Sequence, residues 1–335
     1  MPKRSPAVQL DRAIDALLVA LQPEPEPNPS PALVQLVPIA RALRDLPRAD
    51  FKSSLKSDLQ RRTTMNEATA PAPESSRATQ FRRPNFPNIA PYFLVKGAPQ
   101  FIDFLVSAFE GTERIRVPRH DGSIMHAEVA IGNSAIELGD ANEQYPSRPM
   151  TTHLYVPDAD ATYARALAAG ATPVYAPTDD HPSGDRWGEA KDPFGNTWYI
   201  ASRKSAVSAP EGFLTVQPYM HLRNAHDMIP FIEAALGAHA TGVHKSPDGI
   251  VRHATVEIAG ATFEIDEAQG ESQPTQSYLH VYVPDTDAVY AQALAAGATS
   301  VTPPYTAPYG ERSAGITDPF GNTWFLATYL GEAQS

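Results

Sequence analysis

The chain of 335 residues contains no cysteine, which removes disulfide staples, thiolate metal ligands and thiol nucleophiles and leaves the compartment open. It also lacks any apolar run near the ~20 residues a membrane-spanning helix needs. Asp11, Arg12 and Asp15 interrupt the stretch after the basic opening "MPKR", so no secretory leader is read there. The expectation is a cytoplasmic protein without a membrane partner. Basic charge is scarce in most of the chain. Residues 1–83 hold 13 Lys and Arg against 9 Asp and Glu, a charge of +4; the remainder holds 14 against 29, a charge of −15. An acidic body repels phosphate, which argues against nucleic acid as a partner. The basic stretch "FKSSLKSDLQRR" (51–62) reads as the solvated face of an amphipathic helix. The 42% hydrophobic and 19% charged shares are those of an ordinary soluble protein, long enough for two domains.

A long repeat fills most of the chain. "YVPDADATYARALAAGAT" (155–172) returns as "YVPDTDAVYAQALAAGAT" (282–299), an offset of 127, and "DPFGNTW" occurs at 192–198 and again at 318–324, an offset of 126. The same offsets pair His126 with His253, Glu137 with Glu264, His153 with His280 and Arg186 with Arg312. A period above 100 residues means duplicated domains, not a solenoid. The organisation read from this is a helical N-terminal arm (1–66), a Pro-rich linker (67–85), a first domain (86–203), a linker (204–212) and a second domain (213–329). In the arm, Leu10, Ile14, Leu17, Leu18 and Leu21 form one helical stripe and Phe51, Leu55 and Leu59 another. Such stripes want a partner surface, on the body or on a second copy.

Each repeat reads as strand, helix and three strands, then the same again. Asp121-Gly122 predicts a two-residue hairpin turn between strands at 113–119 and 124–132. "DPFGN" has the chemistry of a turn: Asp bonds backbone two residues on, Pro fixes φ, and Gly accepts positive φ.

These paired units, with "HAEVAIGNSAIEL", "DADATYARALAAGAT" and "GDRWGEAKDPFGNTW", resemble the vicinal oxygen chelate superfamily of glyoxalase I, bleomycin-resistance proteins and extradiol dioxygenases, and within it the PhnB-like branch. The resemblance implies an α+β fold of two tandem glyoxalase-like domains, each of paired βαβββ units. It further implies a divalent metal held by a first-strand residue, a fourth-strand Glu, a fifth-strand His and an eighth-strand Glu. Those positions fall here on Ala90, Glu137, Thr151 and Tyr199, and in the second repeat on Gln217, Glu264, Tyr278 and Phe325. Neither set can ligate well, nor can either after exchange of halves, so no metal cofactor is expected. The alternative is a local register shift that brings His280 to Gln217 and Glu264.

Strand alternation places further groups on the concave faces. His126 with Glu128, and His253 with Glu257, lie opposite the apolar residues of their strands; each His is either a polar handle for a ligand or a group bonded to a neighbouring strand. Tyr92, Tyr199, Tyr219, Tyr278 and Phe325 would make these faces aromatic, whereas Trp198 and Trp324 fall on the core side. Arg186 and Arg312 either clamp an anion or pair with carboxylates of their own sheet. Gln217, Tyr219 and His221 share a strand face and are expected to meet Glu264, Tyr278 and His280 in one cleft, with Tyr92, His126, Glu137, His153 and Tyr199 forming the poorer counterpart. The functional expectation is a protein that binds a small aromatic or apolar ligand without a complete metal site, as a monomer or a homodimer through the arm. The alternative is a lyase, isomerase or dioxygenase of the superfamily with an altered site.

Overall fold

A computed structural model of the chain describes residues 81–204, 213–270 and 273–331. The arm and most of both predicted linkers lie outside those residues. Four βαβββ units follow one another. The first is β1 (Ile89–Val95), α1 (Ala98–Phe109), β2 (Thr112–Pro118), β3 (Ile124–Ile131) and β4 (Ser134–Asp140). The second is β5 (Thr151–Tyr155), α2 (Ala159–Ala168), β6 (Thr172–Thr178), β7 (Arg186–Lys191) and β8 (Thr197–Ser202). The third is β9 (Val216–Leu222), α3 (Ala225–Leu236), β10 (His239–Lys245), β11 (Val251–Ile258) and β12 (Ala261–Glu267). The fourth is β13 (Tyr278–Tyr282), α4 (Thr286–Ala295), β14 (Thr299–Ala307), β15 (Glu311–Thr317) and β16 (Thr323–Tyr329).

The units pair by exchange. One eight-stranded sheet runs β14-β15-β16-β13-β1-β4-β3-β2 and joins the first unit to the fourth; the other runs β10-β11-β12-β9-β5-β8-β7-β6 and joins the third to the second. Antiparallel central pairs seal the joins. Ala90 lies opposite His280 in β1–β13, while Thr151 lies opposite Tyr219 and His153 opposite Gln217 in β5–β9. Each sheet therefore takes half of its strands from each sequence repeat.

Helix starts and turns are local consequences of sequence. Asp158 and Asp285 cap α2 and α4, accepting from the backbone N–H of Ala161 at 2.9 Å and of Ala288 at 3.0 Å. The repeated heptad is a turn that fastens core. Asp192 accepts from the backbone N–H of Phe194 (2.8 Å) and Asn196 (2.9 Å), and from Asn196 Nδ2 and Trp198 Nε1, both 2.9 Å away. Asp318 repeats this set with Phe320, Asn322 and Trp324. Gly195 and Gly321 both take φ +92°, where a side chain would be strained. Asn196 and Asn322 in turn accept from the backbone N–H groups of Met150 and Ser277, beside the start of the parallel neighbour strand.

The predicted two-residue hairpin at Asp121-Gly122 is instead a three-residue loop. Arg119 N–H donates to Ser123 O at 2.7 Å and only Gly122 has positive φ, at +85°. Asp121 keeps negative φ because its carboxylate accepts from Ser123 N–H at 3.0 Å, which stabilises the wider loop.

The convex faces share one core. Phe93 of the first sheet stacks on Trp198 of the second at 5.7 Å, and Phe263 of the second meets Trp324 of the first at 5.7 Å. Both tryptophans are fully buried, as their strand faces predict. The concave faces then carry the residues that alternate with the core side.

Candidate ligand clefts

Exchange redistributes the predicted site residues. The first cleft, on the sheet of the first and fourth units, holds Tyr92, His126, Glu137, Tyr278, His280 and Phe325. The second, on the sheet of the second and third units, holds His153, Tyr199, Gln217, Tyr219, His221, His253 and Glu264. The expectation that Tyr278 and His280 share a cleft with Gln217, Tyr219, His221 and Glu264 is therefore corrected: β13 pairs with β1, not with β9. The alternative ligand set of Gln217, Glu264 and His280 fails for the same reason, because His280 belongs to the other sheet. The residue that reaches Glu264 is His153.

In the first cleft His280 Nδ1 lies 3.0 Å from Glu137 Oε1, close enough for charge attraction although the ring is not aimed for a hydrogen bond. Burial opposes the charge on both groups, yet their mutual attraction wins: the Glu137 carboxyl is held below the usual range and the His280 imidazole above it. His126 receives a contact from Tyr92 Oη at 3.1 Å and lies 3.3 Å from Glu128. Burial also opposes its charge, but Glu128 and Glu137 outweigh burial and raise its pKa. Arg83 donates to Glu128 at 2.6 Å. Rings fill much of the rest: Phe325 lies 5.3 Å from Tyr92 and stacks on Tyr278 at 6.2 Å. From the β4–β5 connection, Tyr145 packs edge-on against Phe325 at 5.8 Å and Arg148 sits 4.6 Å over the Tyr278 ring.

The second cleft is arranged around two carboxylates. Glu264 faces His153 Nδ1 at 2.9 Å, His253 Nε2 at 3.2 Å and Tyr155 Oη at 3.4 Å. Burial works to raise its pKa, but His153 and His253 overcome that and pull it down to about 2. Asp266, two residues along the same strand face, takes His221 Nδ1 at 2.6 Å and Tyr219 Oη at 3.2 Å. His221 Nε2 lies 2.9 Å from Tyr199 Oη. Tyr199 is half-buried between Tyr219 at 5.4 Å and Trp187 at 5.3 Å. Gln217, on the same strand face, is fully buried and bonds Thr262, so its amide is used within the sheet.

Both histidines at the third-strand position, His126 and His253, thus bond neighbouring groups of their own cleft. The two arginines pair differently from either expectation. Arg186 binds Asp160 and lies 3.4 Å from Asp179, just past β6, and Arg312 binds Asp287 at 2.6 Å; Asp160 and Asp287 lie in helix first turns, not in the sheet. A helix N-terminus favours an acid there, and the strand next to the sheet edge, β7 or β15, brings the arginine to it. Sequence reasoning missed Arg83, Tyr145, Tyr155 and Asp266. Asp266 was detectable, since it follows Glu264 with the period of two that places both on one face.

The chain matches the sequence profile of the Glyoxalase/Bleomycin resistance protein/Dioxygenase superfamily over residues 89–200 and 222–326. It belongs to that superfamily. An uncharacterized protein of Mycobacterium bovis is 38% identical over 136 residues, covering 37% of this chain and 89% of the relative. A counterpart in Mycobacterium tuberculosis gives the same identity over 79% of its length. Among solved structures, glyoxalase I from Zea mays superposes with a TM-score of 0.56 at 16% identity, over 72% of this chain and 92% of that one. This last likeness is one of fold.

The metal positions implied by the superfamily can be tested on each cleft. The first offers Ala90, Glu137, Tyr278 and Phe325, and the second Gln217, Glu264, Thr151 and Tyr199. A methyl group and two rings cannot donate to a metal beside Glu137, apart from the Tyr278 hydroxyl, which donates to Pro146 O at 3.1 Å. In the second cleft Gln217 is spent on Thr262 and Tyr199 on His221. The superfamily's ligand set does not fit either cleft.

Proposed function

We propose that the protein binds a small, planar aromatic or apolar organic molecule on its concave sheet faces, without a metal cofactor. The observation that carries this reading is the occupation of the superfamily's ligand positions by Ala90, Tyr278, Phe325, Thr151 and Tyr199, which replaces donors by rings and small groups. An aromatic wall with a few polar groups suits an organic ligand. On this reading the protein is a cytoplasmic member of the PhnB-like branch with tandem domains. Its partner is a small molecule, not nucleic acid or a membrane, and it acts as a monomer or a homodimer through residues 1–66.

A second reading, a lyase, isomerase or dioxygenase with an altered metal site, has one observation in its favour. Ligand atoms of His126, Glu128 and Glu137 all lie within 4.8 Å of one another. Against it, the Arg83 guanidinium already sits 2.6 Å from Glu128 and would repel a divalent cation. Elemental analysis of protein purified without chelator decides between them. Far less than one equivalent of divalent metal per chain is expected; about one tightly held equivalent would replace the first reading by the second.

A further inference from the structure

The donors at the base of the second cleft are committed. The N–H and O–H groups of His153, His253 and Tyr155 end on Glu264, those of His221 and Tyr219 on Asp266, and that of Tyr199 on His221. Acceptor capacity remains. With Nδ1 facing Asp266, His221 presents the bare Nε2 to the Tyr199 hydroxyl, so the lone pairs of the Tyr199 oxygen are left for a ligand. His153 repeats the pattern: Nδ1 is bound to Glu264, and Nε2 is buried without a partner among the described residues. Carboxylate, imidazole and hydroxyl in series form an arrangement that moves a proton without leaving a bare charge.

The other cleft supplies a control within the same chain. At the positions equivalent to Asp266, His221 and Tyr199 it carries Gly139, Leu94 and Phe325, while Tyr219 keeps its counterpart Tyr92. All three members are absent together where the sheet geometry is the same. A hydrogen-bonded chain serving only the sheet would have no reason to end on a half-exposed hydroxyl. The polar groups around Tyr199 are His221 and Asp266 from the third unit, Glu189 on β7, the Tyr219 hydroxyl, and His153, its register partner on β5, whose ring lies edge-on at 6.1 Å. Burial, then Glu189 and Asp266, push the Tyr199 hydroxyl well above its ordinary pKa, so it remains a neutral phenol.

We propose that Asp266, His221 and Tyr199 make the second cleft an acid–base site for hydroxyl-bearing aromatic ligands, with Tyr199 as the group that accepts the ligand's proton. This rests on the reading of the clefts as aromatic ligand sites. The ligand's O–H bond breaks and its proton passes to Tyr199 Oη, whose own proton passes to His221 Nε2. Asp266 keeps the Nδ1 proton and stabilises the imidazolium. The products are a bound phenolate and an imidazolium–carboxylate pair, with the total charge unchanged. Tyr199 and His221 are the proton-transfer groups, and Asp266 is a positioning residue. A phenol whose acidity is close to that of imidazole makes the transfer nearly balanced.

The test uses two probes on the full chain, p-nitrophenol and its methyl ether p-nitroanisole, at a pH below the free phenol's own pKa. Wild type is expected to bind the phenol about tenfold more tightly than the ether, the loss expected for one hydrogen bond to an activated group. Part of the bound phenol should show the yellow phenolate absorption. In Tyr199→Phe the two probes should bind equally and the absorption should vanish. In Asp266→Asn the phenol should still bind, with a smaller phenolate fraction, an effect that a merely structural hydrogen bond would not produce. Equal binding of the two probes by wild type would overturn the relay while leaving the aromatic site intact, as would phenolate absorption that survives Tyr199→Phe. If neither probe binds, the aromatic-site reading itself fails and the relay with it. The wild-type comparison stands even if a variant fails to fold.

Discussion

In the first cleft Glu137 faces a histidine at 3.0 Å and its neighbour Glu128 is held by Arg83, while Tyr145 lies across the aromatic floor. In the second, Glu264 and Asp266 are met among the described residues by histidines and tyrosines, and a chain of hydrogen bonds runs out to Tyr199. Both descend from the same βαβββ plan. The first neutralises its carboxylates with its own cations and packs Tyr145 and Arg148 of its own loop against Phe325 and Tyr278. The second leaves a half-exposed hydroxyl at the end of an acid–base chain. Repetition of sequence has preserved the scaffold and allowed the two concave faces to diverge, because core packing constrains only alternate residues of each strand.

The sharpest check on what the halves share is the repeated turn. Asp192→Ala or Asp318→Ala strands the Asn amide and Trp indole donors in the core, and each should cost about 3–4 kcal/mol in denaturant unfolding. A difference between them of more than about 1 kcal/mol would show that the two turns are not equivalent.

Next in size is the difference between the carboxylates. Glu264→Ala deprives two histidines and a tyrosine of their partner and should destabilise by about 3 kcal/mol, against about 1 kcal/mol for Glu137→Ala. Equal losses would break the contrast. The pH dependence separates the clefts at neutral pH, since carboxylates of both, Glu137 and Glu264, are lowered and share the acid limb. Glu264 is held at about 2 against its ordinary 4.5, so its contribution is present above pH 4.5 and disappears as pH falls from there toward 2. Glu264→Gln should shrink that acid limb and leave the part due to Glu137. His126 and His280 are raised above 6.5, so their contribution is full below that pH and fades as pH rises through their elevated pKa values. Replacing both by Gln should flatten the neutral limb, measured as unfolding midpoint against pH.

A smaller effect is expected at Tyr145. Its removal as Tyr145→Ala loses edge-on ring contacts, about 1 kcal/mol, and uncovers Phe325 and Tyr278. Calorimetry with p-nitroanisole should then gain a second binding event. Its absence would mean that the loop is not what closes the first cleft. Smallest of all, Arg186→Ala and Arg312→Ala should leave ligand affinity unchanged and the unfolding midpoint almost unmoved, since both pairs are solvent-exposed. A loss of affinity would return these arginines to the role of anion clamp.

The order of elements, the buried tryptophans and the turn chemistry of the heptad were legible in the chain, because each rests on residues within a few positions of one another, and the repeat was legible because the chain matches itself at a fixed offset. So were the aromatic positions on the concave faces, through the period of two. The pairing of His153 with Glu264, of His280 with Glu137, and of Tyr199 with His221 was not. Those contacts join residues 111, 143 and 22 positions apart, across strands whose partners are chosen by which unit docks beside which. Strand alternation fixes the face a residue occupies but not the strand that will lie next to it. That choice is made when the convex faces bury their common core, and here it sends β13 to β1 and leaves β9 with β5. Sequence determined which groups would stand on a concave face; only the docking of the units decided which of them would meet.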